Sequence, residues 1–260
     1  MSKDIHKKKH LTSFQLIILG FASVILLGAI ILMLPVSSAE GVITPFNQTL
    51  FTSTSAVCVT GLAVLDTGSY WSVFGQVVIL LLIQIGGLGV VTVAVSVFML
   101  SGRKISLMQR STMQNAISAH KVGGIVRLTK FILKGTLFIE MAGALALLPV
   151  FYHDFGRKGM AVFHSISAFC NAGFDILGTP ANPFPSITAY AGNPIVNVVI
   201  MFLIIAGGIG FLTWEDICIN KIHFRKYHMQ SKIILVTTAF LIVLPAIFFF
   251  FSDFTYLSVG

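Results

Sequence analysis

Apolar residues run almost unbroken from Phe14 to Leu34, and again over 70–100, 125–150, 194–219 and 233–251. Runs of about 18 residues or more are long enough to cross the hydrocarbon core as helices, so the pattern predicts five membrane-crossing helices. The polar residues between them concentrate in two stretches that nearly coincide. Phe51-Thr-Ser-Thr-Ser-Ala-Val-Cys-Val-Thr-Gly61 returns as Phe163-His-Ser-Ile-Ser-Ala-Phe-Cys-Asn-Ala-Gly173. Aligned on Cys58 and Cys170, the copies share Phe, Ser, Ser, Ala, Cys and Gly at six of eleven positions. Each is too short and too polar to span a bilayer. Polar backbone at membrane depth is tolerated only where protein or a water-filled path surrounds it. Both stretches therefore read as re-entrant pore loops.

Other signals return at the same spacing. Leu34-Pro35 closes the first apolar run, Leu148-Pro149 the second outward run, and Leu244-Pro245 lies near the end of the third. This recurrence argues against a cleaved secretory signal at the basic, then apolar, N-terminus. Thr44-Pro45 predicts the start of a short helix, with Thr44 as N-cap and Pro45 at the first helical position. The inward runs carry Gly86-Gly87-Leu88-Gly89 and Gly207-Gly208-Ile209-Gly210, which read as helix packing or a bend, and Thr92 corresponds to Thr213.

The expected fold is thus an all-α membrane protein of outer helix, re-entrant loop and inner helix. Residues 1–100 hold the first unit behind a basic tail, and 101–124 a cytoplasmic linker with a short surface helix at 105–118. Residues 125–219 hold the second unit, and 220–260 a cytoplasmic loop and the outer helix of a third. The spacing from Leu-Pro to Cys is 23 and 21 residues in the two copies, so a third loop cysteine is expected near 266–268.

Composition excludes an ordinary soluble domain, with 56% hydrophobic and 10% charged residues. The net charge of +8 changes the picture only through its placement. Fifteen of the seventeen Lys and Arg fall in Lys3–Lys9, Arg103–Lys134 and Lys221–Lys232. Those blocks precede or separate apolar runs, as cytoplasmic loops do, which places the N-terminus inside and the C-terminus outside. Anionic lipid headgroups are the expected partner of this charge, and nucleic acid is not.

A dehydrated alkali cation needs oxygen ligands that replace its water without trapping it, and backbone carbonyls supply them. Gly61 and Gly173 give the loops access to positive φ. The candidate ion-binding residues are Cys58, Val59, Thr60 and Gly61, with Cys170, Asn171, Ala172 and Gly173. The hydroxyls at 52–55, with Ser165 and Ser167, are expected to satisfy loop backbone groups. The acids Glu40, Asp66, Asp154, Asp175 and Asp253 fall on the outer side and would attract cations modestly. Glu140 is the one acid well inside an apolar run, either functional or a packing residue. His164 has no partner at metal-ligand spacing. The three cysteines, Cys58, Cys170 and Cys218, form no metal or disulfide pattern and read as free thiols. Trp71 reads as an interfacial anchor. No nucleophile–base pairing or cofactor motif suggests an enzyme. A channel-like transporter fits best; an alternating-access cation permease and a nonconducting truncated fragment stay open, although the parallel sense of the repeats counts against the permease.

Thr54-Ser55-Ala56-Val57-Cys58-Val59-Thr60-Gly61-Leu62 resembles the first pore loop of the Trk/Ktr/HKT superfamily of potassium transporters. Cys170-Asn171-Ala172-Gly173-Phe174 resembles the second, and Gln84-Ile85-Gly86-Gly87-Leu88-Gly89 the inner helix after the first. Within the superfamily the chain is similar to the membrane subunit of bacterial Ktr systems. The resemblance implies potassium uptake across the bacterial cytoplasmic membrane by a multi-pass subunit with four repeats around one pore. It also implies a homodimer on a cytoplasmic ring of nucleotide-binding, KtrA-like regulatory subunits, with no cofactor beyond the transported potassium. Glycine in the first loop implies potassium selectivity. With repeats three and four absent, the resemblance makes the chain a truncated one.

Overall fold

In the computed structural model, residues 12–89, 92–93, 125–156 and 158–257 are described. The basic segment Lys3–Lys9, the expected surface helix at 105–118 and the linker 101–124 lie outside them. The first helix, α1 (Ser13–Met33), begins in a capping box. Thr12 Oγ1 accepts the Gln15 amide at 3.3 Å, and the Gln15 side chain accepts the Thr12 amide at 2.9 Å. Such reciprocal bonds satisfy two donors that a helix start leaves open.

Of the three Leu-Pro pairs, only the first ends a helix. Past Pro35, Ser37 turns its hydroxyl back onto the Ile31 carbonyl at 2.8 Å, and the Leu34 amide takes the same carbonyl at 3.2 Å. Pro35 has no amide for the Ile31 carbonyl, and these two donors take the acceptor it leaves open as the chain turns out of the helix. Val150-Phe151 and Ala246-Ile247 follow the other two prolines and offer no such donor. The helices α4 (Ile125–Phe155) and α8 (Met229–Leu257) accordingly run on with Pro149 and Pro245 inside them. Expected ends at Val150 and Phe251 are corrected to Phe155 and Leu257.

Between α1 and the first loop, α2 (Phe46–Val57) has Pro45 as N-cap, with no side-chain cap. Thr44 is not the cap expected of it; its Oγ1 lies 3.0 Å from the Tyr70 hydroxyl. Twelve residues rise about 18 Å, roughly half the hydrocarbon core. Helix α3 (Val73–Leu88) starts on Ser72, whose Oγ accepts the Gly75 amide at 3.2 Å. It breaks at Gly89, where φ is 82°. The expected continuous helix over 70–100 is therefore cut at its glycine group, the bend that group allowed.

Helix α5 (Lys158–Phe169) precedes the second loop, and α6 (Pro194–Gly208) follows it. Gly210, at φ 80°, separates α6 from α7 (Phe211–Asn220). Three of the described helices are long and apolar enough to cross a membrane: Phe14–Met33, Arg127–Asp154 and Met229–Ser252. The pair α6 and α7 passes the same test only together, and α3 and α5 are shorter apolar helices. No strand occurs among the described residues.

The chain divides into two compact units at Ile204 and Ile205. In the first, α1, α2 and α3 pack on one another, α4 packs on α5, and α3 also meets α5. Leu32, Val57, Trp71, Ile79 and Ile83 form one core with Phe163, Ala172 and Phe174 from the later segment. A second core holds Leu147, Phe151, Met160, Leu177, Tyr190 and Val196. Trp71 is fully buried in the first of these cores, so it is not the interfacial anchor that its position in the sequence suggested. In the second unit, buried Asp216 on α7 accepts the His228 amide at 2.9 Å and the Ser231 hydroxyl at 2.6 Å, which fixes the start of α8.

Candidate functional site

Helices α2 and α5 end in the same hydrogen-bonded turn. Past Val57, the Val59 amide reaches the Ala56 carbonyl at 3.2 Å and the Thr60 amide reaches the Ser55 carbonyl at 2.9 Å. Past Phe169, the Asn171 amide reaches Ala168 at 3.0 Å and the Ala172 amide reaches Ser167 at 2.8 Å. This is the Schellman cap, in which one residue takes the left-handed conformation, usually as glycine. Here Val59 and Asn171 occupy that position, at φ 57° and 58°. Asparagine visits this region readily, whereas a β-branched residue there is an outlier that its surroundings must hold. Two residues on, Gly61 and Gly173 are again left-handed, at φ 73° and 72°.

The two loops touch. A methyl group placed on Gly61 would sit 2.5 Å from the Ala172 carbonyl oxygen and 3.2 Å from the Gly173 Cα. All eight candidate residues thus belong to two adjacent turns, and of the eight only Ala172 is fully buried. Cys58, Cys170 and Cys218 are free thiols.

The hydroxyls around the loops divide into two roles. Ser167 Oγ donates to the Phe174 carbonyl at 2.6 Å, the loop backbone group expected of it, whereas Ser55 Oγ takes the Thr60 hydroxyl at 2.9 Å, a side-chain pair within the first loop. Thr52 and Thr54 instead bond carbonyls of their own helix, Gln48 and Leu50. Ser53 and Ser165 reach outward, to the Ile25 carbonyl on α1 and the Glu140 carbonyl on α4, each at 2.7 Å. These anchors were not foreseen. Their signal was Gly28 and Gly143, since a Cβ at either would crowd the serine hydroxyl at 2.5 and 2.6 Å.

Helix α3 supports both loops from one side. A Cβ on Gly86 would run into the Val57 carbonyl, and one on Gly87 would lie 2.5 Å from the Cys170 sulfur. One turn earlier, Gln84 Nε2 donates to Glu140 Oε1 at 2.9 Å. His164 is buried against Phe151, with Nδ1 2.8 Å from the Met160 carbonyl. A cavity of about 270 Å³ lies beside the second loop, lined by His164, Ser167, Asn171, Gly173, Asp175 and Ile200 among others. Among the described residues no three His, Cys, Asp or Glu side chains gather as a metal site.

The acids expected on the outer side are more committed than their sequence positions implied. Asp66 is buried; Oδ2 accepts both the amide and the hydroxyl of Ser69, and Oδ1 accepts the Phe184 amide. Asp154 takes the Tyr190 hydroxyl at 2.7 Å, and Asp175 Oδ1 takes the Leu177 amide at 3.0 Å. Asp66 and Asp154 are thus tied into the structure by neutral donors. The side chain of Asp253 lies outside the described residues.

A family model described as TrkH, cation transport protein, matches residues 4–257. The chain is 40% identical to the potassium/sodium uptake protein NtpJ of Enterococcus hirae, over 95% of this chain and 54% of that protein. It is 40% identical to the Ktr system potassium uptake protein B of Bacillus subtilis, over 93% of this chain and 53% of the relative. For the protein of the same name from Vibrio alginolyticus the figures are 34%, 92% and 52%. The chain spans about half the length of the curated relatives it matches.

Proposed function

Since this chain belongs to the TrkH family of cation transport proteins, we propose that it supplies part of a potassium-uptake pathway across a bacterial cytoplasmic membrane. In this reading the ion meets backbone carbonyls of Cys58, Val59, Thr60 and Gly61 on one side. Those of Cys170, Asn171, Ala172 and Gly173 meet it on the other. The family is one of transporters, not enzymes.

The observation that carries the proposal is the contact between two turns of one geometry, each closing a half-membrane helix. In each loop positive φ falls on alternate residues, 59 and 61, then 171 and 173. Alternation of handedness turns successive carbonyls toward one side, the arrangement that replaces a cation's hydration shell. The C-terminal ends of α2 and α5 meet the loops, and the negative end of a helix dipole favours a cation there.

The matched caps and serine anchors support reading residues 1–100 and 125–219 as two copies of one helix–loop–helix unit, joined by the linker 101–124. Residues 220–260 then begin a third. Two of the similar proteins are named as components of Ktr systems. By that similarity the protein is proposed to work as a homodimer in lipid with a cytoplasmic nucleotide-binding regulatory subunit.

Expression together with the repeats that complete the pore, in a bacterial strain lacking its own potassium-uptake systems, tests the function. Growth at low potassium, with saturable uptake of rubidium or potassium, is the expected result. A normally inserted protein that restores neither growth nor uptake would count against it. Because one relative is named for both ions, sodium uptake is measured in the same cells.

A further inference from the structure

Glu140 is the acidic side chain most deeply placed along α4, and it is 6% exposed. An ionisable group within a membrane helix is costly, and an apolar pair would pack there at less cost, so its retention calls for a role. Its contacts lead to the loops by two short routes. Through its side chain it holds Gln84 on α3, three residues before Gly87, which packs on the Cys170 sulfur and β-carbon. Through its backbone carbonyl it takes the hydroxyl of Ser165, on the helix that ends at Cys170. Two further buried atoms near this link, Gln84 Oε1 and Thr136 Oγ1, have no hydrogen-bond partner. Thr136 stands one helical turn before Glu140 on α4, on the same face. The polar island is thus only partly satisfied, which makes it costly at low dielectric and leaves the Gln84–Glu140 bond as the contact that holds it together.

We propose that the Gln84–Glu140 hydrogen bond is a latch that positions the second loop against the first, and so sets how strictly the loops separate potassium from sodium. The pair touches no ion; it acts through α3 and α5 on the backbone at Cys170. Breaking it lets α3 and α4 part by a fraction of an ångström, and Cys170 and Gly173 follow. This inference rests on the transport reading above, with the ion passing between the loops.

The test uses Gln84→Leu, Glu140→Leu, the double variant and Glu140→Gln, each expressed in the uptake-deficient strain with membrane abundance measured. The two single leucine variants are expected to lower the potassium-to-sodium uptake ratio roughly tenfold, and the double variant no further, as coupled neighbours behave. Glu140→Gln keeps an acceptor for Gln84 Nε2 and should stay within about twofold of the parent, which also controls for a variant that fails to fold. An unchanged ratio in both single leucine variants, or fully additive losses in the double, overturns the latch. A parent protein that takes up neither ion overturns the transport reading instead, and one that takes up both without discrimination overturns the latch, so the failures are told apart.

Discussion

Asp66 Oδ1 accepts the backbone amide of Phe184 at 2.8 Å, joining two loops 118 residues apart in sequence. The same carboxylate holds Ser69 through its other oxygen, and Gly178 approaches so closely that a β-carbon there would collide with it. A buried carboxylate serving three donors is a strap between these loops of the first unit. Asp66→Ala should therefore cost about 1.5–3 kcal/mol for the charged bonds lost. The checks are the thermal unfolding midpoint of the purified protein and the rate of protease cleavage within 179–187. An unchanged midpoint together with unchanged cleavage would refute the strap.

Gly61 and Gly173 should differ in their sensitivity to a side chain. Both are left-handed, which costs a non-glycine residue about 1–2 kcal/mol. Only Gly61 also has a carbonyl in the way, since a β-carbon on Gly173 would find no atom nearer than the Gly61 Cα at 3.6 Å. Gly61→Ser is expected to reduce potassium-over-sodium discrimination strongly, and Gly173→Ser to do so less. Uptake ratios at matched membrane abundance decide it; equal effects, or no effect at Gly61, would contradict the assignment of Gly61 to the ion path.

Gly87 and Cys170 should behave as a size-matched pair. The added methyl of Gly87→Ala would lie 2.5 Å from the Cys170 sulfur and 2.9 Å from its β-carbon. Overpacking of this kind typically costs about 1–3 kcal/mol. Cys170→Ala removes the nearer atom and leaves the farther one, so it should restore part of the lost stability and uptake when combined with Gly87→Ala. Measured melting and uptake for the singles and the double form the cycle; a double variant worse than Gly87→Ala alone would rule out the contact.

The repetition that organises this chain could be read from Phe51–Gly61 and Phe163–Gly173 because local composition imposes it. Short, polar, hydroxyl-rich segments between long apolar runs have few places to go in a bilayer. The cap that gives the loops their shape was hidden. Its usual mark is a glycine at the left-handed position, and here Val59 and Asn171 stand there. Pro149 closes its apolar run much as Pro35 does, and Pro245 lies near the end of another, yet both helices run on through these prolines. At the end of α1 the Ser37 hydroxyl fills the Ile31 carbonyl that Pro35 leaves open, a donor the other two sites lack. Trp71 misled for a related reason: a tryptophan near a helix start suits the membrane interface, but long-range packing buries this one against Ile79 and Phe163. The roles of Ser53 and Ser165 depended on partners 28 and 25 residues upstream, beyond the reach of local pattern.

The contact between Gly61 and Ala172–Gly173 also sets an order of events during synthesis. A ribosome adds roughly 5–20 residues per second, so about 6–22 s separate the emergence of Gly61 from that of Gly173. Throughout that interval the first loop, with its unfavourable Val59 backbone, has no final neighbour. Its polar turn must be sheltered by the insertion machinery or by water until α5 arrives. Slowing translation between the two loops would lengthen this exposed period, and an early quality-control protease would find its substrate there.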